Sequence, residues 1–223
     1  MPHVIKNYPK PDPKCVAKFA GLSSATIYEA AGKRGAMSSA IRPAYPGARL
    51  YGTAVTVRCH VGDNLMLHKA ITVAGPGDVI VADFGMYDEA GAWGEITTTA
   101  AIARGVAGLV IDGRVRDIAR IQEIGFPVFS RGLSIKGTTK EALGEINHPV
   151  VVGGVPVHPG DIVVGDADGV VVVPAARAYE VLQASLAREA AEAKIMEQLR
   201  QGKTTLELLG FGATLQSKGL TEE

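Results

Sequence analysis

The sequence predicts an α/β domain followed by a long helix. Short apolar runs, bounded by Gly, Pro and Asp, alternate with segments of helical pattern between residues 48 and 132. Strands and helices that alternate at this spacing are typical of a mostly parallel sheet covered by helices. The chain has 223 residues, of which 47% are hydrophobic, and this is enough for a sizeable core. We therefore expect an α/β core over residues 1–174 and a C-terminal helical extension over 175–223 that contacts a neighbouring subunit.

The individual elements follow from local pattern and from turn residues. Alternating β-branched residues indicate strands, whereas amphipathic runs that begin after Gly or Ser and end at Gly indicate helices. Helices are predicted within residues 13–33 (two short ones, the second capped by Ser23 or Ser24), 62–75, 95–103, 116–125 and 175–201. Strands are predicted within 48–61, 76–85, 106–113 and 127–132, followed by a β-rich meander over 150–174. Residues 1–13 are rich in Pro and are expected to run along the surface.

One short motif occurs twice in the chain. The run "PGDVIVADFG" at 76–85 returns as "PGDIVVGDADG" at 159–169, and each copy has a Pro-Gly-Asp turn, an apolar strand and a final Asp. The repeat indicates either a shared function or the same turn chemistry used twice. We favour the second interpretation, because Pro, Gly and Asp are the residues that tight turns require.

Charge and cysteine content narrow the class of function. The 23 Lys and Arg residues balance the 23 Asp and Glu residues, so no basic field exists to attract nucleic acid or a membrane surface. No apolar run reaches the length of a membrane span, and the N-terminal residues lack the apolar centre of a secretory signal. Cys15 and Cys59 are too few for a disulfide framework and are expected to be core residues of a cytoplasmic protein.

Glu95 is the first candidate site residue. It follows the Gly-rich loop "GMYDEAGAWG" and lies in the first turn of a predicted helix. Free N–H groups at such a junction bind carboxylates or phosphates. A Glu in the first turn also has a purely structural explanation, because it complements the helix dipole. Both interpretations remain open at this point.

Arg116 and Asp117 are adjacent and follow the predicted strand within 106–113. Ligands of α/β sheets collect outside the carboxyl ends of the strands, so this pair and the Gly-rich loop before Glu95 are expected to share one pocket. Arg116 has no evident structural role and is suited to bind a carboxylate through its two-pronged guanidinium. Asp117 is either a functional residue or the N-cap of the next helix.

The acidic residues suggest the kind of ion that such a pocket would take. Carboxylates in an open, hydrated site suit Mg²⁺ or Mn²⁺. A divalent ion beside a guanidinium can hold a 2-oxo acid and stabilise its enolate. Zinc is not expected, because the histidines are scattered with no Cys/His cluster at zinc spacing: His3, His60, His68, His148 and His158.

The acid, the twenty residues after it and the Arg-Asp pair resemble the acid-X20-Arg-Asp signature of class II pyruvate aldolases. These enzymes cleave 4-hydroxy-4-methyl-2-oxoglutarate and 4-carboxy-4-hydroxy-2-oxoadipate. The runs "GDNLMLHKAI", "PGDVIVAD", "ARGVAGLVIDGRVRD" and "PGDIVVGDADGVVVVP" are also similar to that family, so the resemblance covers nearly the whole chain. The family shares its fold with the regulator of ribonuclease activity A, a shorter protein that inhibits an RNase by protein contact.

This resemblance implies a fold and an activity. The fold would be a layered α/β sandwich of the swivelling β/β/α type, like that of the ribonuclease regulator, with the long C-terminal helix added. The activity would be retro-aldol cleavage that releases pyruvate through its enolate, with oxaloacetate decarboxylation as a side reaction through the same enolate. The substrate would be a small 2-oxo acid, and the active sites would lie at the subunit interfaces of a homotrimer or homohexamer.

The resemblance also implies roles for individual residues. Asp117 would bind Mg²⁺ or Mn²⁺ directly, and Arg116 would hold the pyruvyl carboxylate or the enolate. Glu95, which stands where the family usually has Asp, would hold metal-bound water. The outer metal shell would be completed by Glu192, or by the nearby Glu189, of a neighbouring subunit. Substrate contacts would come from the backbone N–H groups of Ala92, Trp93, Gly94 and Glu95, and at the far end from Asn64 and His68, although His68 can equally be a structural histidine.

The sequence has three alternative interpretations besides a metal-dependent aldolase. A Schiff-base aldolase would use Lys69 or Lys136, but neither has an evident apolar surrounding in the sequence. A non-catalytic regulator of an RNase would share the fold without the chemistry. A phosphate-carrying swivelling domain is suggested by "DGVVVVP", but it would require a reactive His in a Gly/Thr-rich loop. The intact acid-Arg-Asp pattern and the long helix that carries Glu192 favour the enzyme.

Overall fold

Parallel strands flanked by helices form the centre of the structure, a computed structural model that describes residues 3–221. The strands in chain order are β1 (His3–Val4), β2 (Arg42–Pro43), β3 (Leu50–Arg58), β4 (Asp78–Asp83), β5 (Gly108–Ile111), β6 (Arg114–Val115), β7 (Val128–Ser130), β8 (Gly132–Leu133), β9 (Glu145–Ile146), β10 (Val150–Val152), β11 (Val155–Val157), β12 (Ile162–Asp166) and β13 (Gly169–Val173). The helices are α1 (Pro13–Ala17), α2 (Ser24–Ala30), α3 (Leu65–Val73), α4 (Glu95–Ile102), α5 (Ile118–Ile124), α6 (Ala178–Arg200), α7 (Thr205–Leu208) and α8 (Phe211–Ser217).

The main sheet has a parallel centre with antiparallel edges. Strands β3, β4, β5 and β7 are adjacent and parallel, and helices α3, α4 and α5 lie in the three connections between them. Strand β2 is antiparallel to β7 at one edge. At the other edge β3 pairs with β12 through its first residues and with β9 through its last ones. The carboxyl ends of β3, β4 and β5 therefore meet at one edge, where the loops that follow them come together.

Both faces of the central strands are covered, which explains their continuous apolar sequence. In β4, Ile80 and Ala82 face the core formed with α3, α4 and α5. Val79 and Val81 alternate with them and face the hairpin β10–β11 on the opposite side. A third apolar cluster joins β12 and β13 to α1, α2 and the start of α6. The layered α/β architecture expected from the sequence is confirmed.

The two copies of the Pro-Gly-Asp motif form the same local structure. Asp78 accepts a hydrogen bond from the N–H three residues before it (3.0 Å), and Asp161 does the same (2.8 Å). The glycine of each turn, Gly77 or Gly160, has φ in the left-handed region that only glycine adopts freely. At the end of each strand, Asp83 and Asp166 accept from the N–H two residues later. The repeat is thus one of turn chemistry.

Each predicted helix and strand has a counterpart in the structure. Of the two proposed caps of α2, Ser23 is the one observed: its hydroxyl accepts a hydrogen bond from Thr26 N–H. Ser24 instead donates to Asp166 (2.6 Å) and joins α2 to the end of β12. The two-residue strands were not predicted, because they are defined only by their partners in space. Predictions for residues 1–2 and 222–223 lie outside the described residues.

The helix α6 is a confirmed feature with two different halves. Its first turns are buried through Ala178, Val181 and Leu182, which belong to the apolar cluster with Ile27 of α2. Farther along, its side chains are exposed or half-buried. None of the helices within residues 3–221 is both long and apolar enough to cross a membrane.

Asp78 provides a first prediction, on stability. Its carboxylate is buried and accepts from the Thr53 hydroxyl (2.7 Å), the Gly75 N–H (3.0 Å) and the Lys10 ammonium (2.5 Å). We expect Asp78→Ala to lower the free energy of unfolding by about 2–4 kcal/mol, because it leaves buried donors without an acceptor. Chemical denaturation measures this change. As a control, Asp88→Ala removes an exposed ion pair with Arg114 and should cost at most about 0.5 kcal/mol; equal effects would contradict the assignment.

Candidate active site

A cavity of about 170 Å³ lies at the carboxyl edge of the central strands. Its walls come from the start of α3, the loop before α4, the turn between β6 and α5, and a segment between β8 and β9. Both polar and apolar side chains line it, as is common in sites for small ligands. The lining residues are Asn64, His68, Gly91, Ala92, Trp93, Gly94, Ile96, Thr97, Arg116, Asp117, Gly137, Thr138 and Lys140.

The loop that carries residues 91–94 is fixed by backbone hydrogen bonds on both sides. Gly91 N–H donates to Lys136 O (2.8 Å), and Ala92 N–H donates to Arg114 O (2.8 Å). Arg116 N–H in turn donates to Trp93 O (2.8 Å). These bonds place the loop directly beside the strand end that carries Arg116 and Asp117. The segments far apart in sequence that were predicted to meet do meet.

Most N–H groups of the loop already have partners within the chain. Ala92 N–H is used in the bond to Arg114, Gly94 N–H donates to Thr97 Oγ1 (3.0 Å), and Glu95 N–H donates to Asp117 Oδ2 (3.1 Å). In the described part of the chain, Trp93 N–H has no acceptor. Of the four amides that were expected to bind substrate, the Trp93 N–H is therefore the one available without breaking an internal bond.

The Trp93 side chain has a structural role. Its indole is 1% exposed, donates from Nε1 to Thr98 Oγ1 (2.8 Å) and stacks on Phe126 with 6.1 Å between ring centroids. This packing anchors the loop to α4 and to the end of α5. The substrate contact assigned to Trp93 would therefore be made by its backbone and not by its ring.

Asp117 has an unusual backbone and an available carboxylate. Its φ of 57° lies in the left-handed region, which costs a non-glycine residue free energy and is often found at functional sites. Asp117 precedes α5, but its side chain makes no capping bond to that helix. The carboxylate instead accepts from Glu95 N–H at the start of α4. The capping alternative is not seen, and the side chain faces the cavity.

Gly94 makes this position of Asp117 possible. A Cβ atom added to Gly94 would lie 2.3 Å from Asp117 Oδ2 and 3.2 Å from Arg116 Cγ. Any larger residue would overlap with the carboxylate, so only glycine allows Asp117 to lie against the loop. The glycine is thus needed for close approach, since its own backbone is extended (φ −154°).

The guanidinium of Arg116 is free of hydrogen bonds among the described residues. Its only ionic neighbour there is Asp117, with 3.8 Å between Nε and Oδ2. The side chain is 44% exposed and lines the cavity. Since no part of the fold depends on it, the guanidinium is available to bind an anionic ligand.

Glu95 is close to Asp117 through its backbone, but its carboxylate points to another partner. Arg120 Nε lies 3.4 Å from Glu95 Oε1, and Arg120 also contacts Glu123 on its own helix. Glu95 is the first residue of α4, so the charge also complements the helix dipole. The Arg120 contact could not be predicted from local sequence, because it depends on how α4 and α5 pack.

Three polar groups gather at the end of the cavity that α3 forms. Asn64 is buried and donates from Nδ2 to Ala92 O (2.8 Å), while its Oδ1 has no partner among the described residues. The His68 Nε2 atom is likewise buried and has no hydrogen-bond partner among the described residues. Burial, and then the nearby Lys140 ammonium, lower the pKa of His68 below its ordinary value, so the ring is neutral at pH 7. Unpartnered buried polar atoms are rare, and these two are available to bind a ligand or a water molecule in the cavity.

Sequence reasoning missed the segment that carries Gly137, Thr138 and Lys140. The run "KGTTKE" at 136–141 has the composition of a solvated turn, and it contains no helix and no named strand. Its polar residues between two short strands were a signal for a loop, but not for the cavity that the loop lines.

Residues expected from other parts of the chain lie away from the cavity. Glu192 forms an ion pair with Arg188 on α6 (2.8 Å), and neither it nor Glu189 lines the cavity of its own chain. Consistent with this, residues 3–221 contain no group of three or more His, Cys, Asp or Glu side chains placed to hold a metal ion. Within one chain, Asp117 is the acid that lines the cavity.

The two lysines of the Schiff-base alternative are also outside the cavity. Lys69 is exposed on α3. Lys136 is ion-paired with Glu89, and the hydrogen bond to that carboxylate raises the pKa of Lys136. A Schiff-base lysine requires the opposite change, so the structure gives this mechanism no support.

Comparisons with known proteins agree with the fold. A family model described as "RraA-like: Aldolase/RraA" matches residues 24–172. The chain is 38% identical, over 74% of its length and 79% of the relative's, to a protein of Halalkalibacterium halodurans provisionally named 4-hydroxy-4-methyl-2-oxoglutarate aldolase. The region matched by the family model, residues 24–172, includes every residue that lines the cavity.

Two solved structures extend the similarity beyond the family match. An uncharacterised protein of Pseudomonas syringae pathovar tomato superimposes with a TM-score of 0.79 at 31% identity, covering 88% of this chain and 97% of that one. RraAS2 of Streptomyces coelicolor, described as an unusual member of the RNase ES inhibitor RraA family, superimposes with a TM-score of 0.76 at 29% identity, covering 85% and 99%. The expected fold, like that of the ribonuclease regulator, is therefore confirmed.

Proposed function

The chain belongs to the RraA-like family of aldolases and RraA proteins, and on that basis we propose that it is a divalent-metal-dependent lyase. The substrate would be 4-hydroxy-4-methyl-2-oxoglutarate, 4-carboxy-4-hydroxy-2-oxoadipate or both. The products would be pyruvate, released through its enolate, and a second 2-oxo acid.

One observation carries this proposal. The Arg116 guanidinium, which makes no hydrogen bond within residues 3–221 and has only Asp117 as a loose ionic neighbour (3.8 Å), lines the cavity together with the Asp117 carboxylate and the start of α4. A fold that needed these groups only for stability would pair them with other side chains or expose them away from a cavity. Their arrangement suits an anionic ligand that also binds a cation.

The side chains fit a hard divalent cation. Asp117 Oδ1 has no hydrogen-bond partner among the described residues, and the missing Cβ of Gly94 keeps the carboxylate accessible at the cavity. Mg²⁺ and Mn²⁺ accept one or two protein carboxylates and take water for their other ligands. When bound, the ion would bind the 2-oxo acid and stabilise negative charge on the enolate. Glu95, and Glu192 of a neighbouring subunit, would hold ligand water.

The chain's own residues would then have the following tasks. Arg116 and the Trp93 N–H would bind the pyruvyl end, which gains enolate charge when the C3–C4 bond breaks and its electron pair moves to C3. A carboxylate, through a water molecule, would take the proton that leaves the C4 hydroxyl as that carbon becomes a ketone; Glu95 can do so only after its side chain leaves Arg120. Return of a proton to C3 through the same water molecule would then give pyruvate.

The far end of the cavity supports a diacid as the class of substrate. Within residues 3–221, Asn64 Oδ1 and His68 Nε2 have no hydrogen-bond partner, and the Lys140 ammonium is close enough to lower the pKa of His68. A hydroxyl group and a second carboxylate of the substrate would satisfy these groups. Oxaloacetate, a shorter diacid, would be decarboxylated through the same enolate.

Assembly is part of the proposal. The cavity of one chain lacks the second acid that the resemblance assigns to Glu192, so the site would be completed by a neighbouring α6 in a homotrimer or homohexamer. The groove beside Glu192 contains Ile195, Met196 and Leu199, which is consistent with a contact surface. We also retain the cytoplasm as the proposed location; Cys15 and Cys59 are both free thiols.

An assay of pyruvate release tests the function directly. With Mg²⁺ or Mn²⁺, the protein should release pyruvate from at least one of the two hydroxy diacids, and excess EDTA should lower the rate by roughly 10²-fold or more. Returning the metal should restore the rate. Borohydride with pyruvate should trap no adduct, because no lysine forms a Schiff base.

Two results would reject the proposal. Activity that survives EDTA together with borohydride trapping would support the Schiff-base alternative. No pyruvate from either diacid, with any of the metals, would leave the RNase-regulator alternative, which binding to an RNase would then test.

A further inference from the structure

The Asp63 carboxylate is the most heavily hydrogen-bonded acid near the cavity. It is 2% exposed and lies directly before Asn64 at the start of α3. Its Oδ1 accepts from Leu65 N–H (2.8 Å). Its Oδ2 accepts from the Thr139 hydroxyl (2.8 Å), Glu141 N–H (2.6 Å) and Ala142 N–H (3.1 Å). Burial alone would raise the pKa of Asp63, but these hydrogen bonds lower it to about 2, so the carboxylate stays ionised.

Three of the four donors belong to one segment, residues 137–142, which has no strand or helix of its own. Thr139 and Glu141 flank Lys140, while Gly137 and Thr138 complete the part of the segment that lines the cavity. The segment is also tied to the start of α3 by backbone bonds from Asn64 N–H to Thr139 O (3.1 Å) and from Thr139 N–H to Gly62 O (3.0 Å), and the Thr139 hydroxyl lies 3.4 Å from Gly62 O. Asp63 therefore holds Thr139 and Glu141, the two neighbours of Lys140, against the start of α3, where Asn64 and His68 line the cavity.

We propose that Asp63 is a positioning residue that fixes segment 137–142 and thereby keeps Lys140 at the far end of the cavity. Asp63 itself does not line the cavity and would not contact substrate. It would act through Lys140 and set the affinity for the second acidic group of the substrate. The inference rests on the proposed function, because only a diacid makes use of both ends.

The geometry explains why a carboxylate is needed here. A single oxygen, Oδ2, receives three donors from the segment, and the other oxygen receives the helix N–H. Asparagine has nearly the same shape but only one acceptor oxygen, and its NH₂ group would face donors. Asp63→Asn would therefore release either the segment or the first turn of α3. Thr139→Val is a milder variant, since it removes one hydroxyl bond and keeps the backbone bonds.

The test compares a two-ended substrate with a one-ended one. Asp63→Asn and Lys140→Met are each expected to raise KM for 4-hydroxy-4-methyl-2-oxoglutarate by about tenfold, the usual effect of losing one charge-assisted bond, with kcat changed by less than about threefold. Exchange of the pyruvate methyl protons with D₂O, followed by NMR, should stay within about twofold of wild type, because pyruvate has only the end that Arg116 binds.

The double variant separates positioning from an independent effect. If Asp63 acts through Lys140, then Asp63→Asn should add little to KM in a chain that already carries Lys140→Met. Effects that multiply, or an unchanged KM in both Asp63→Asn and Thr139→Val, would overturn the proposal. Thr139→Val is expected to raise KM in the same direction by a smaller factor, and it keeps the test decisive if Asp63→Asn folds poorly.

A matched control and a readout without catalysis complete the design. Asp166→Asn alters another buried carboxylate, which accepts from Ser24 and Asp168 far from the cavity, and should leave KM unchanged. Hydrogen–deuterium exchange should accelerate in residues 137–142 for Asp63→Asn and not for Asp166→Asn. If wild type neither releases pyruvate nor exchanges its protons, the proposed function fails, whereas unchanged protection of the segment in Asp63→Asn contradicts the role of Asp63 itself.

Discussion

Arg116→Ala should lower kcat/KM for pyruvate release by about 10³-fold and leave the fold intact, as expected when a group that stabilises developing charge is removed. The fold should tolerate the change because the Arg116 side chain makes no hydrogen bond among the described residues and is 44% exposed. Its backbone N–H, which ties the strand end to Trp93 O, is kept in alanine. Steady-state assays and a thermal melt of the same preparation measure the two quantities.

Further substitutions show whether charge alone is enough. Arg116→Lys keeps the positive charge but loses the two-pronged geometry, so it should recover only part of the rate. Arg104→Ala is the matched control: this arginine lies just past α4, away from the cavity, and bonds only weakly to Thr72 O (3.4 Å). It should retain full activity. Near-normal turnover in Arg116→Ala would remove the residue from the mechanism.

The parts of the fold that the sequence could predict are those defined by local pattern. Strand β4 is apolar on both faces and is bounded by the turn at Gly77 and by Asp83 and the Gly-rich loop that begins at Gly85, so its position and its burial could both be predicted. Strands such as β6 and β9 contain two residues each and exist only through a partner elsewhere in the chain. No local pattern of two residues can specify such pairing.

The candidate site divides in the same way. Glu95, Arg116 and Asp117 could be brought together by reasoning, because they follow parallel strands whose carboxyl ends share one edge. The place of segment 137–142 at the cavity could not be predicted, since its attachment depends on Asp63, 76 residues before Thr139. The contact of Glu95 with Arg120 was likewise unpredictable, because it is set by the packing of α4 against α5. The order and direction of the strands can be inferred from local sequence patterns. Contacts between side chains of different elements cannot.

Gly94→Ala should separate the site from the stability of the fold more sharply than any loss of a side chain. The backbone at Gly94 is extended, with φ −154° and ψ −164°, and alanine adopts this conformation without strain. The added Cβ, however, would lie 2.3 Å from Asp117 Oδ2. The short Asp117 side chain must therefore turn away and give up its bond from Glu95 N–H.

The expected result is a small loss of stability with a large loss of function. Losing one partly exposed hydrogen bond should cost about 1 kcal/mol of unfolding free energy. Displacing a proposed metal ligand should weaken Mn²⁺ binding by roughly tenfold or more and lower the rate of pyruvate release by about 10²-fold. Calorimetric titration with Mn²⁺ and chemical denaturation measure the first two effects independently of catalysis.

Gly21→Ala is the control, because a Cβ there would have no atom within 4 Å and φ is not in the left-handed region. It should bind Mn²⁺ and turn over as wild type does. If Gly94→Ala also keeps wild-type Mn²⁺ affinity, then the position of the Asp117 carboxylate against the loop is not needed to bind the ion, and the proposed role of Gly94 is wrong. A loss of several kcal/mol of unfolding free energy in Gly94→Ala would instead show that the Asp117 carboxylate cannot move. The backbone of the loop would then have to shift to relieve the overlap.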